Sequence, residues 1–183
     1  LTDSCRWDSW KIEDDELILE NTEYSTLYGY SFGKSRLICN GLNVDLFEGE
    51  YFSLPSFSGT FNADASSKLM VIERKGYHGQ KVIGCLEDTG RLCYIDGCSD
   101  SMLVYPPRFG DSTLNSLHFP PNIAQSFHTH PSIRIGCVAS GKGRACSKDK
   151  EHEIKQGDLW LIEEQELHRF RTDKDGEKMI VIA

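Results

Sequence analysis

What most limits the folds open to this chain is a recurrence of short runs rich in β-branched, aliphatic and aromatic residues, each closed by a turn. Leu37-Ile38-Cys39, Lys68-Leu69-Met70-Val71-Ile72, Lys81-Val82-Ile83-Gly84 and Arg91-Leu92-Cys93-Tyr94-Ile95 make up the first set. Met102-Leu103-Val104-Tyr105, Ile133-Arg134-Ile135-Gly136-Cys137-Val138, Leu159-Trp160-Leu161-Ile162 and Lys178-Met179-Ile180-Val181-Ile182 follow. Turn residues separate them, as in Asn40-Gly41, Asp96-Gly97, Ser140-Gly141-Lys142-Gly143 and Asp173-Lys174-Asp175-Gly176. Runs of strand length without a helical period bury their apolar faces only against one another. The predicted fold class is therefore all-β, a sandwich or a barrel. A helix is expected only around Glu13 to Glu20, and the Ser-, Gly- and Asn-rich stretch from Leu54 to Lys68 reads as a long connection or a lid.

The 183 residues suffice for one good core, so a single domain is expected, with two small half-domains as the alternative. A net charge of −8 argues against nucleic acid and anionic membrane surfaces, which need clustered Lys and Arg. The acidic run Glu13-Asp14-Asp15-Glu16 reads as a solvated face. No stretch is long and apolar enough to span a bilayer, and the first ten residues lack the order of a signal peptide. The seven cysteines (Cys5, Cys39, Cys85, Cys93, Cys98, Cys137 and Cys146) are an odd number and include no Cys-x-x-Cys pair. That pattern predicts reduced thiols in a cytoplasmic protein. Cys85, Cys93 and Cys98 read either as a metal or redox cluster or as small apolar residues on neighbouring strands.

The chemistry concentrates in Phe127-His128-Thr129-His130-Pro131. On a strand, residues i and i+2 share a face, so His128 and His130 project together, and paired neutral imidazoles are a start to a transition-metal site. A pair of exposed histidines in a turn is the plainer reading. Downstream come an apolar strand, the Ser140–Gly143 turn, a charged strand, Gly157-Asp158-Leu159-Trp160-Leu161-Ile162 and Glu166-Leu167-His168-Arg169-Phe170.

With these residues in place the chain resembles the cupin superfamily, whose small β-barrels carry two motifs. The first runs Gly, five residues, His-x-His, three or four residues, Glu, six residues, Gly; His128, His130 and Gly141 fall in its register. The second runs Gly, five residues, Pro-x-Gly, two residues, His, three residues, Asn; Gly157 and His168 fall in register there. Asn122 stands in the first glycine slot and Arg134 (Ile135 in the longer spacing) in the glutamate slot. Glu163, Gln165 and Thr172 replace Pro, Gly and Asn in the second motif.

The resemblance implies a double-stranded β-helix, or jelly roll, with additional N-terminal strands. Residues 1–100 would supply those strands, and 101–183 the metal-binding barrel half. Gly49-Glu50-Tyr51-Phe52-Ser53-Leu54-Pro55, with Gly59 and then Thr60 in the histidine slot, gives the competing picture of a degenerate, metal-free first cupin half. The resemblance further implies one divalent transition metal on His128, His130 and His168, Fe(II) first and Zn, Ni or Mn otherwise. The function expected is an Fe(II) dioxygenase. A metal-dependent lyase or isomerase, or a non-catalytic ligand-binding or sensor module, is the alternative.

Three neutral imidazoles leave the ion's double charge uncompensated, which favours a small, anionic, chelating substrate. Arg134 is expected to clamp its carboxylate, or else to swing outward. His118, on the strand leading to the pair, is expected to face the substrate or to be a partly exposed strand residue. Tyr105 and Arg108 are rim candidates, Glu163, Glu164 and Glu166 candidate further ligands, and Trp160 and Phe170 core. His78 and His152 read as surface residues. A homodimer would be unsurprising given the strand edges.

Overall fold

Alternation of buried and exposed side chains sets the sheets. The computed structural model describes residues 7–12, 15–20, 24–39, 41–56, 60–65 and 68–183. Cys5, Glu13, Asp14 and Gly59 lie outside the described residues. The chain divides into two compact units, Leu1–Leu86 with Val104–Thr113, and Glu87–Leu103 with Leu114–Ala183.

The first unit contains β1 (Trp7–Ile12), β2 (Asp15–Glu20), β3 (Ser25–Ser31), β4 (Ser35–Cys39), β5 (Leu42–Leu46), β6 (Glu50–Ser56), β7 (Thr60–Ala65), β8 (Leu69–Lys75) and β9 (Val82–Cys85). They form a five-stranded sheet, β1-β8-β3-β6-β9, and a four-stranded sheet, β2-β7-β4-β5. Leu27, Phe52, Leu54, Leu69 and Val71 of the first sheet pack on Leu37, Cys39 and Leu46 of the second. Every residue of β3 is buried. Its hydroxyls find partners at once: Ser25 Oγ donates to Glu73 Oε1 and Thr26 Oγ1 to the Tyr77 carbonyl, both at 2.7 Å. A buried strand carrying Ser and Thr is tolerated on those terms.

The second unit contains β10 (Leu92–Cys93), β11 (Ser99–Val104), β12 (Leu114–Phe119), β13 (Arg134–Ser140), β14 (Lys142–Ser147), β15 (Glu151–Lys155), β16 (Leu159–Ile162), β17 (His168–Arg171) and β18 (Met179–Ile182). A six-stranded sheet, β10-β11-β12-β18-β13-β16, faces a three-stranded one, β15-β14-β17. Phe119, Val138, Ile162, Met179 and Val181 from the larger sheet meet Ile154 and Phe170 from the smaller. Gly141 closes the β13–β14 turn at φ +72°, and a Cβ there would lie 2.0 Å from the Lys178 carbonyl oxygen. Only glycine fits.

The all-β expectation holds, and the two-sheet plan is a jelly roll. Among the described residues the only helical element is a 3-10 turn at Ile95–Gly97, and no helix is long and apolar enough to cross a membrane. Two local expectations are corrected. The segment expected as a helix, Glu13 to Glu20, contains strand β2; Leu17 and Leu19 are half-buried while Ile18 and Glu20 are exposed, a period of two. The expected connection or lid from Leu54 to Lys68 contains β7, which pairs with β2 on one side and β4 on the other. Pairing on both edges outweighs the weak strand propensity of its polar residues.

Candidate metal centre

His128 and His130 flank Thr129 just before β13, and His168 opens β17. A narrow backbone bridge joins the first to the third: His128 N–H donates to the His168 carbonyl and His168 N–H to the His128 carbonyl, each at 3.0 Å. Gln165 N–H donates to the His130 carbonyl at 2.9 Å, so the loop before His168 is tied to the His-x-His segment twice. The three ligand-capable ring atoms all lie within 4.8 Å of one another, and the ring centroids are 4.5 to 5.1 Å apart.

The donor chemistry fits a divalent transition metal. His128 Nδ1–H donates to the Ser126 carbonyl at 2.9 Å and His168 Nδ1–H to the Glu166 carbonyl at 2.8 Å. Each bond fixes the tautomer whose free lone pair is on Nε2, the usual arrangement behind a metal-bound histidine. The Ser126 peptide is itself held, its N–H donating to Asp96 Oδ2. Burial, then Arg134 and the two companion histidines, lower His130 to about 4. Burial also lowers His168. Neutral imidazole is the form that ligates.

The cluster lines a cavity of about 190 Å3 wholly inside the second unit. Leu117, Ile162, Phe170 and Val181 form its apolar wall, and Tyr94, Asp100, Asn115, Gln125, Arg134 and Trp160 its polar one. Arg134 shares its strand face with Gly136 and with Val138 of the core, which is why it points in. At Gly136 the missing Cβ leaves room for the Trp160 ring across the ladder, 2.7 Å from where that atom would sit. Among the described residues no carboxylate or carbonyl bonds the Arg134 guanidinium, although its charge bears on His130, His168, Tyr94 and Asp100.

The structure does not bring every candidate here. On β12, Asn115 and Leu117 face the cavity, so Ser116 and His118 face the other way. His118 is 2% exposed, with Nε2 3.2 Å from Ser116 Oγ, and burial lowers its pKa. Both expectations are corrected: strand parity turns it away from the cavity, and at 2% exposure it is not a partly exposed strand residue either. Tyr105 and Arg108 do not line the cavity; Tyr105 is exposed, and Arg108 pairs with Asp111 at 3.0 Å. Glu163 and Glu164 are exposed, and Glu166 accepts from the Glu163 N–H at 3.0 Å; none joins the histidine group. Trp160 and Phe170 are both core and cavity wall. His152 is exposed, whereas His78 is half-buried and stacks on Tyr24 at 5.4 Å. Six cysteines are unpaired thiols, with Cys98 buried but Cys85 and Cys93 exposed rather than packed. Among the described residues, His128, His130 and His168 are the one group with metal-holding geometry. Sequence reasoning missed Tyr94, Asp100, Asn115 and Gln125, for which the alternation of Asn115 and Leu117 was the available signal.

A two-sheet barrel with three clustered histidines at one cavity defines a cupin-fold protein with a candidate metal site. Residues 111–179 match the model of the AraC-like ligand binding domain family. No curated protein sequence matches the chain. Among solved structures it is similar to a Cupin 2 conserved barrel domain protein from Leptotrichia buccalis, at 17% identity and TM-score 0.66 over 100% of this chain and 84% of that one. It is also similar to salicylate 1,2-dioxygenase from Pseudoaminobacter salicylatoxidans, at 5% identity and TM-score 0.66 over 97% and 70% of the two chains. A third is oxalate decarboxylase from Bacillus subtilis, a protein with Mn(II) centres, at 12% identity and TM-score 0.59 over 99% and 68%. Identities this low show the fold alone.

Proposed function

We propose that this protein is a metal-dependent cupin enzyme, an Fe(II) dioxygenase of small, anionic, chelating substrates. The observation that carries the reading is Arg134 on the wall of the histidine cavity, without a protein partner among the described residues. In the register of the cupin motif it takes the slot of an anionic ligand. His128, His130 and His168 would hold the ion as neutral imidazoles, and when bound it would keep its charge and supply Lewis-acid and redox chemistry.

The chain's own groups do the rest. His128 and His168 are held by the Ser126 and Glu166 carbonyls, so their rings are oriented before anything binds. The Arg134 guanidinium takes a substrate carboxylate through two parallel hydrogen bonds, fixing its direction as well as its charge. Leu117, Ile162, Phe170 and Val181 exclude water from the reacting end. A lyase or isomerase on the same scaffold needs a proton acceptor, and Asp100 is the side-chain carboxyl on this cavity. The match to a ligand-binding family model favours a sensor as the second reading.

Elemental analysis of protein purified without a His-tag, beside the His128→Ala/His168→Ala variant, is the first test. About one equivalent of transition metal, lost in the variant, with substrate-dependent O2 uptake after anaerobic Fe(II) loading, is the expected result. Metal and ligand binding without turnover would move the protein to the sensor reading. No metal in either protein, even after Fe(II) addition, would overturn the metal site.

A further inference from the structure

The cavity has a second polar face that the anion-binding reading does not use. Asp100 on β11 and Asn115 on β12 stand side by side, the Asn115 Nδ2 donating to Asp100 Oδ2 at 3.5 Å. The other oxygen of each, Asp100 Oδ1 and Asn115 Oδ1, is buried and has no hydrogen-bond partner. Two orphaned acceptors on one wall are costly, on the order of 1–3 kcal/mol each, and such pairs call for a missing donor. Gln125 on the same cavity is satisfied at both ends, accepting from Phe170 N–H and donating to Cys98 Sγ. The deficit is therefore confined to the Asp100–Asn115 wall and to the Trp160 Nε1 donor, also buried and unpartnered. Burial raises the Asp100 carboxyl, opposed by the Ser101 N–H and by the Arg134 charge, and Asp100 and Arg134 line one cavity without forming an ion pair. The cavity volume of about 190 Å3 matches roughly six waters of liquid, room for a molecule of under about ten heavy atoms.

We infer that the ligand of this cavity is a small carboxylate that also carries a hydroxyl or amino donor, the carboxylate on Arg134 and the donor on Asp100 and Asn115. The inference rests on the anionic-substrate reading and adds the donor end to it. Asp100 and Asn115 are binding and specificity residues here, distinct from the metal ligands. Hydroxyl and ammonium groups both satisfy an acceptor pair, and they differ in charge. A carboxylate wall favours the ammonium, whereas a neutral acceptor wall accepts the hydroxyl equally well.

The test measures binding of propionate, 3-hydroxypropionate and β-alanine to metal-loaded protein by calorimetry, for the wild type, Asp100→Ala, Asn115→Ala, Asp100→Asn and Arg134→Ala. In the wild type at least one donor-bearing acid binds 10-fold or more tighter than propionate. That preference, read as a ratio to propionate in the same variant, collapses to within 2-fold in Asp100→Ala or Asn115→Ala, while metal content is retained. Reading the preference as a ratio between variants cancels any extra chelation of the metal by the donor group. A wild-type preference for β-alanine over 3-hydroxypropionate that is lost in Asp100→Asn assigns the donor as ammonium. A preference for 3-hydroxypropionate over β-alanine, kept in Asp100→Asn, assigns a hydroxyl. Equal binding of all three acids, with affinity lost in Arg134→Ala, overturns the donor subsite and leaves the anionic reading standing. Binding of none of the three to protein that holds its metal overturns both.

Discussion

In the first unit Leu27, Leu37, Leu46, Phe52 and Leu69 are wholly buried between a five- and a four-stranded sheet. In the second, a six- and a three-stranded sheet enclose an apolar cluster, but beside it they leave about 190 Å3 open, walled by three histidines, an arginine and an aspartate. At about 24 cal/mol per Å3, an empty void of that size would cost at most about 4–5 kcal/mol relative to packed side chains. The difference between two interiors of one plan separates packing from binding. A buried cluster of leucines and Phe52 holds one sandwich together, whereas the other sets a cavity lined by polar groups beside its apolar cluster, the kind of concave site small ligands use.

The largest expected effect sharpens that contrast. His168→Ala should weaken metal binding by about 10²–10³-fold, a few kcal/mol for one lost ligand, read by competition with a chromophoric chelator. Leu37→Ala, in the first unit, should instead cost about 3 kcal/mol of folding stability in denaturant melts and leave metal affinity unchanged wherever the protein is folded. Equal sensitivity of metal binding to Leu37→Ala and His168→Ala would break the comparison. Next in size, Arg134→Gln should reduce affinity for a carboxylate ligand about 30-fold, roughly 2 kcal/mol, with metal content preserved.

A pH effect follows, confined to the second unit. His130 has a folded-state pKa lowered from 6.5 to about 4, so between those values the unfolded chain binds a proton that the native one does not. The stability this group contributes is present above 6.5 and is lost as pH falls towards 4. The metal-free protein should therefore lose on the order of 1–2 kcal/mol across that window, and His130→Asn should flatten the loss in chemical denaturation. The smallest effect concerns backbone conformation. Gln165 holds φ 59°, so Gln165→Gly should stabilise the second unit by under about 1 kcal/mol in a thermal melt.

Much of this was legible in the chain. Leu159–Ile162 is a strand over its whole predicted length, and His128, His130 and His168 assemble as their motif spacing implies. The substituted motif positions also make physical sense. Asn122 and Gln165 stand where the cupin pattern has glycine, and both keep the left-handed backbone, at φ 63° and 59°. Thr172, in the asparagine slot, still ties the segment together, donating to the Pro120 carbonyl and accepting from Ile123 N–H. Other features depended on pairing between distant strands. Which face of β12 looks inward is set by its ladder with β18, where Leu117 opposes Val181, and a polar residue on an alternating strand reads the same from either side. The sequence alone therefore does not decide which face His118 takes, nor does it mark Asp100 and Asn115 as cavity residues. The run Leu17-Ile18-Leu19 is too short for its period to separate helix from strand until β7 pairs with it.

The reciprocal bridge between His128 and His168 ties two candidate metal-ligand positions to the same pair of backbone hydrogen bonds. A fluctuation that parts the two segments exposes both amides and spreads both ligands at once, so neither can drift alone. Deuterium uptake at those two amides thus becomes a clock for the site, ticking slower by the factor with which an ion holds the pair closed. It would report occupancy without any substrate in hand.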